Sequence, residues 1–482
     1  MTHQQTGSAA PPGPPVPVTP TVPPQVPRPG PQGVPDTPPP RRTAWAEGVD
    51  RLRAAATTEP GRLRVIGAVL AVLVVAFGAV TAWQMTERST AADAVLNSSQ
   101  PLSADAADIY RSLADANTAA SSGFLAGGQE TEASRTRYES DIRLAADKLV
   151  TAAANSEPGS PSEKTITRLN KTLPEYKGLV ERARANNRQG FPLGGAYLRY
   201  ANSKMQVMLD DAETLYKVEN QRLRSDYDDA TPYPWIAIGA GVLALGALVW
   251  VQRRNYRRTN RVLNHGLVAA TTATAIVLLW LAVGHTVARA GLNESYDHGV
   301  RSLNTLNDAR IASLKARGNE NLTLVSRGAE TKEVGTGADV KVVDVYDYDF
   351  ERQMKDLTTK LAAAEALADD GAGVRPVRAA TANMKVWKDR HREARAQDDA
   401  GNYQGALDRI IGSKADEPTG ECFDNVDDAL NTALKHERVQ FERAAGDGLG
   451  AMSGLAAGAA VLAVLAAAGA VLGIGRRLSE YR

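Results

Sequence analysis

Residues 235–283 read WIAIGAGVLALGALVWV, then QRRNYRRTNRVLNH, then GLVAATTATAIVLLWLAV. The two apolar runs are Trp235–Val251 and Gly266–Val283, and neither holds a charge. Each approaches the roughly 20 residues that a helix needs to cross a bilayer core. A helix satisfies its own backbone hydrogen bonds in lipid, so each run is expected to span. The 14 residues between them, Gln252–His265, carry five arginines and no acid. Arg253, Arg254, Arg257, Arg258 and Arg261 are therefore expected to keep this connection on the cytoplasmic side and to fix the topology on either side of it.

Two further apolar runs, Val65–Trp83 and Gly448–Gly475, meet the same criterion and bring the expected spans to four. The first begins only after 64 residues, which argues against a secretory signal peptide. Between the spans lie two long polar segments, 84–233 and 286–447, with a short tail at 476–482. Charge follows this division. Residues 1–64 carry a net +3, the arginine loop +5 and the tail +2, whereas 84–233 carries −3 and 286–447 carries −6. Basic pieces inside and acidic pieces outside put both termini in the cytoplasm, export the two large segments, and place the chain in a cell membrane. Basic residues beside spans contact lipid headgroups and do not form the basic face of a nucleic-acid-binding domain.

Residues 1–40 hold 15 of the 25 prolines and cannot build a core, so a disordered, polyproline-like tail is expected there. Its PxxP spacings, at Pro12/Pro15, Pro20/Pro23 and Pro24/Pro27, either solvate a tether or dock on an aromatic groove. The following stretch, 41–64, reads as a basic juxtamembrane segment. The lone Cys422 excludes an intramolecular disulfide; it is either a buried small hydrophobe or half of an intermolecular one.

Both exported segments read as helical. Breakers at Ser121–Gly128, Asn155–Pro161 and Arg188–Gly195 divide the first into four helices. Met205, Leu209, Ala212, Tyr216, Glu219 and Leu223 step by four and three along the last, a seam suited to bundle packing. The second segment breaks near Arg327–Val340, Asp369–Val374, Ala400–Tyr403 and Gly412–Gly420. Phe350, Met354, Leu357, Leu361 and Ala364 form its matching seam, and the β-branched Val340–Val345 suits a short strand or an extended loop. Helices that leave and re-enter one membrane face pack most simply as an antiparallel bundle.

The halves look duplicated. Tyr176-Lys177, Ala183-Arg184-Ala185 and Gly190 match Trp387-Lys388, Ala394-Arg395-Ala396 and Gly401 at an offset of 211. Tyr138, Asp141 and Leu149 match Tyr346, Asp349 and Leu357 at 208, and Leu113, Asp115 and Ala116 match Leu306, Asp308 and Ala309 at 193. The expected fold is therefore all-α: four transmembrane helices with two exported antiparallel helical bundles, built as span, bundle, span, twice.

No residue pattern here points to catalysis, a resident metal or a cofactor. The six histidines include no pair four residues apart, and no Gly-rich phosphate loop or GxSxG occurs. Adjacent carboxylates such as Asp210-Asp211 diverge on a helix and serve as a solvated face. Asp344, Asp347 and Asp349 could bracket a divalent cation but lack the glycine and distal glutamate of a calcium loop. Thr271, Thr272 and Thr274 are the most polar intramembrane positions and suit helix contacts. The repeated block is the best candidate for recognition: Tyr176, Lys177 and Arg184 in one half, Trp387, Lys388 and Arg395 in the other. Their rings either pack in the bundles with the cations reaching outward, or form equivalent ligand- or partner-binding patches.

The layout, with spans at 65–83, 235–251, 266–283 and 448–475, two exported helical domains and short cytoplasmic ends, is similar to actinobacterial four-span membrane proteins of the GlnX type. The 41 Arg against 15 Lys suit a GC-rich genome. These proteins are encoded with a glutamine-binding-type lipoprotein and the Ser/Thr kinase PknG. What the resemblance implies is amino-acid sensing: a substrate-binding lipoprotein outside, a cytoplasmic Ser/Thr kinase inside, and this chain as the non-enzymatic relay. An envelope assembly factor that uses its bundles for protein contacts is the alternative, and a transporter ranks third.

Overall fold

The computed structural model describes residues 59–127, 130–259, 264–335, 340–413 and 417–478. The proline-rich tail, the basic stretch up to residue 58, Arg261 and the last four residues lie outside the described residues.

Helix α1 (Glu59–Ala94) runs through a π turn (Val95–Ser99) into α2 (Gln100–Leu125). This is one rod of 65 residues from Gly61 to Leu125, roughly 100 Å long at 1.5 Å per residue. Then come α3 (Glu132–Asn155), α4 (Pro161–Arg188), α5 (Leu193–Ala230) and α6 (Trp235–Thr259). The second half opens with another rod: α7 (His265–Glu294), a π turn (Ser295–Val300) and α8 (Arg301–Ser326). A hairpin of β1 (Thr331–Val334) and β2 (Lys341–Asp344) leads to α9 (Val345–Leu367). Helices α10 (Gly371–Asp399), α11 (Tyr403–Ile411), α12 (Thr419–Met452) and α13 (Leu455–Leu478) complete the chain. The β-branched stretch is thus a strand; it pairs antiparallel with β1, Thr331 opposite Asp344.

Local chemistry sets the helix ends. Ser160 Oγ accepts from Glu163 N at 3.1 Å, Glu163 reaches back to Gly159 N, and Pro161 opens α4, a reciprocal cap. Asp344 Oδ1 accepts from Tyr346 N and Asp347 N at 2.9 and 3.0 Å and starts α9. Pro232 and Pro234 separate α5 from α6, because proline cannot donate to the helix ladder. The run Gly448–Gly475 is divided as well. Gly454 adopts φ +74°, so Gly448–Met452 completes α12 and the fourth span begins at Leu455. Likewise Gln252–Thr259 is not loop: glutamine and arginine are good helix formers, and α6 continues through them. Arg253 and Arg257 are exposed there, the Arg254 guanidinium lies 5.8 Å from the Trp250 ring, and the Arg258 backbone is helical.

Among the described residues four helices are long and apolar enough to cross a membrane, and the chain is a multi-pass membrane protein. The spans α1, α6, α7 and α13 pack as a ring around Leu70, Val74, Phe77, Leu248, Val277 and Ala466. Val72, Leu243, Leu279 and Leu472 point outward and are two-thirds exposed, a surface that suits lipid and not water. Gly266 and Gly473 let α7 and α13 touch: a Cβ on Gly266 would fall 2.5 Å from Gly469 O. Thr271 and Thr274 donate back to Leu267 O and Ala270 O, both at 2.8 Å, and Gln252 of α6 donates to Thr271 Oγ1 at 2.6 Å.

Outside the spans, α2, α3, α4 and α5 pack each on the next in a closed ring, the first head. In the second head α8, α9, α10 and α12 do the same, with α11 set against α10 and α12. Helix α2 lies against α8, so the two heads share one continuous apolar core.

Burial patterns of several helices in the two halves can be superposed. In α3 the buried Tyr138, Ile142, Ala145, Leu149 and Ala152 match Phe350, Met354, Leu357, Leu361 and Ala364 of α9 at an offset of 212. Helices α4 and α10 match at 211, carrying Ile166, Leu169, Leu173, Tyr176, Val180 and Ala183 onto Val377, Ala380, Met384, Trp387, His391 and Ala394. The rods match at 200, with π turns starting at Val95 and Ser295. The offsets of 212 and 200 lie about one and two helical turns from the sequence pairings at 208 and 193. Alanine-rich sequence lets residue identity recur every turn or two, and for the rods it is the position of the π turns that gives the offset of 200.

Candidate functional site

The repeated block occupies equivalent places in the two heads. Tyr176 and Trp387 are both fully buried, on the core faces of α4 and α10. Tyr176 OH donates to Asn117 Oδ1 on α2 at 3.4 Å. Trp387 Nε1 donates to Glu320 Oε1 on α8 at 3.1 Å. Lys177 is exposed and Lys388 half-buried. Arg184 is buried, paired with Glu130 at 2.9 Å and Glu181 at 3.0 Å, with its guanidinium 4.2 Å from the Tyr138 ring. Arg395 is half-buried, paired with Asp347 at 3.3 Å, Asp398 at 2.5 Å and Asp399 at 3.0 Å. The rings lie in different heads of the shared core, and the structure does not bring the two sets of residues together.

Behind Trp387 lies a buried charged network. Arg317 and Glu320 stand on α8 where α2 has Asn117 and Ala120. Glu320 is fully buried and accepts from Arg317 Nη1 at 2.5 Å and from Trp387. His391 Nδ1 lies 2.9 Å from Glu320 Oε1, and its Nε2 lies 3.3 Å from Asp347 Oδ1. Phe350 stacks on the imidazole with centroids 3.6 Å apart. Arg317 also donates to Thr419 Oγ1 and Ile410 O, tying α8 to the start of α12 and the end of α11. Burial alone would raise the Glu320 carboxyl, but Arg317 and His391 outweigh it and hold it below its ordinary value. Burial opposes charge on His391, yet its bonds to Asp347 and Glu320 prevail and raise it. His391 in turn, by hydrogen bonding, lowers Asp347.

The three aspartates before α9 thus have three separate tasks. Asp344 caps the helix, Asp347 serves His391 and Arg395, and Asp349 pairs with Lys332 at 2.8 Å. Sequence reading missed Arg317 and Glu320. The available signal was two charges three residues apart at positions whose counterparts in α2 face a core, but the offset of 193 concealed it.

The joint between the heads is polar. Arg137 of α3 pairs with Asp424 of α12 at 2.8 Å and with Asp115 of α2 at 3.4 Å. Lys315 of α8 pairs with Glu213 of α5 at 2.9 Å, and Tyr216 OH donates to Asn304 Oδ1 at 3.0 Å. Asn321 Nδ2 donates to Ser122 Oγ at 2.9 Å. At the level of the π turns, Tyr227 OH and Ser295 Oγ lie 2.7 Å apart. Asp115 and Asp141 face this joint; burial raises both, and the neighbouring Asp115 charge helps push Asp141 up to about 7. These contacts link each rod to elements of the other half.

Residues 91–228, which run from the end of α1 through most of α5, match the family model of an actinobacterial sensor domain. No curated protein and no solved structure matches the chain.

Proposed function

We propose that this membrane protein is a non-enzymatic signal relay that carries an extracytoplasmic input to a separate cytoplasmic protein. The sensor-domain match over the first head supports a signalling role. One observation carries the mechanism: two helices pass without a break from the membrane ring into the heads, and they meet there as α2 against α8. Their partners α6 and α13 are separated from the heads by breaks at residues 231–234 and 453–454. Two stiff rods beside two jointed ones suit transmission by small shifts or rotations. The arginines at the inner end of α6 support an orientation with the heads outside. The matched burial registers support an origin by tandem duplication.

In this reading a substrate-binding lipoprotein that carries an amino acid docks on the heads, and a cytoplasmic Ser/Thr kinase answers. The layout shared with the GlnX type supports that assignment of partners. Deleting the gene and following phosphorylation of the kinase's targets as amino-acid supply changes tests it: phosphorylation is expected to lose its dependence on supply. An unaltered response, with the protein concentrated at septum or pole, would favour the envelope assembly factor instead. Reporter fusions at residues 150 and 400 are expected to be active outside, and one after Arg257 inside.

A further inference from the structure

A cavity of about 130 Å³ lies where the rods meet, between α2 and α8, with α12 closing one side. At the offset of 200, Ser103 and Leu303, Ala107 and Asn307, and Arg111 and Ile311 all line it as equivalent pairs. Its charge is opposite to that of the heads around it. The two polar segments are net −3 and −6, yet four cations, Arg111, Arg310, Lys435 and Arg438, line the cavity against one acid, Asp108. Two of the four are already matched. Arg310 makes a bidentate pair with Asp427 at 2.6 and 2.8 Å, and Arg111 lies 3.4 Å from Asp115 and 3.8 Å from Asp108. Among the described residues Lys435 and Arg438 form no ion pair.

Amide donors complete the lining. Tyr216 satisfies Asn304 Oδ1, which leaves the donor end of that amide available, and Asn431 stands on α12 beside Lys435. The floor is apolar, made by Leu223, Leu303 and Leu314. Cavities that take drug-sized ligands measure roughly 300 Å³ or more, so this one suits a molecule of a few heavy atoms. Cations and amide donors above an apolar floor match two carboxylates joined by a short carbon chain.

We infer that this cavity binds a short dicarboxylate, held by Lys435 and Arg438 between the two rods. A ligand there touches both α2 and α8, so its binding energy acts on the pair of helices that enter the membrane unbroken. The inference concerns binding alone and does not depend on which partners the relay has.

Calorimetry on the full-length protein in detergent tests it, with succinate, uncharged succinamide and inorganic phosphate as probes. Succinate is expected to bind saturably at low salt and succinamide not to bind. Lys435 and Arg438 are exposed, so the double variant Lys435→Gln, Arg438→Gln should fold, checked by its thermal midpoint without ligand. It is expected to weaken succinate roughly ten- to a hundredfold, as lost charge-assisted hydrogen bonds would. Lys217→Gln, a lysine of α5 that lies outside the cavity and pairs with Glu213, is expected to leave binding unchanged. Absence of succinate binding, equal binding of succinamide, binding of phosphate alone, or equal loss in Lys217→Gln would each overturn the inference.

Discussion

The indole of Trp387 and the carboxylate of Glu320 meet at 3.1 Å in the middle of the second head, where neither is reached by water. Glu320 is the acceptor on which Arg317, Trp387 and His391 converge. Truncating it strands an arginine and an imidazole in the core. Glu320→Ala is therefore expected to destabilise the protein by about 3–5 kcal/mol, the usual penalty for leaving a buried charge alone. Trp387→Phe removes one bond to a charged acceptor and should cost less, about 1.5–3 kcal/mol. Denaturant unfolding followed by tryptophan fluorescence or circular dichroism gives the order, and a Glu320→Ala protein as stable as the parent would contradict it.

His391 makes stability depend on pH. Its folded value is raised above the unfolded one near 6.5, so the charged imidazole's contribution is complete below about pH 6.5 and fades as pH rises through the folded value. Glu320 is lowered, and its share is lost as pH falls from about 4.5 through its folded value. The thermal midpoint of the parent should thus exceed that of His391→Gln most between about pH 5 and 6.5, with the gap closing toward pH 9. A gap that widens with alkalinity would show that the imidazole is held neutral.

Asp141 behaves in the opposite sense. Its carboxyl is pushed up to about 7 by burial and by Asp115, and its Oδ2 lacks a hydrogen-bond partner. Ionising it costs stability, and this cost begins as pH rises above the unfolded value near 3.9 and is complete above about 7. Asp141→Asn should match the parent near pH 4 and be the more stable protein at pH 8, by at most about 4 kcal/mol. Thermal scans at the two pH values decide this.

At the end of the membrane ring farthest from the heads, the close approach of Gly266 to Gly469 and Gly473 leaves no room for a side chain. The nearest atoms are backbone, which cannot rotate away. Gly266→Val should separate α7 from α13 and lower the thermal midpoint in detergent, whereas Gly246→Val, with nothing within 4 Å of its Cβ position, should be tolerated. Equal behaviour of the two variants would mean that the helices do not pack this tightly.

Much of the architecture was legible because it rests on local signals. Proline and glycine breaks, capping serines and aspartates, and stretches of some twenty uncharged residues mark helix ends and spans without reference to the rest of the chain. The block from Tyr176 to Gly190 aligns α4 and α10 at the offset where their buried positions coincide, because aromatic and charged residues are rare enough to align. Along α2 and α8, rich in alanine, leucine and serine, identity carried little information, and the offset of 200 appears only from where the π turns fall.

Sequence alone determined four apolar spans, two long helical segments between them and the separation of basic from acidic charge, since chain length, hydropathy and charge are properties of residues taken in order. Only the tertiary structure decided that α2 meets α8, that Glu320 gathers Arg317, Trp387 and His391, and that cations face a cavity between the rods. Those partners lie from 3 to more than 100 residues apart, and which faces come together depends on how helices rotate to bury them, a quantity that no single stretch of chain contains.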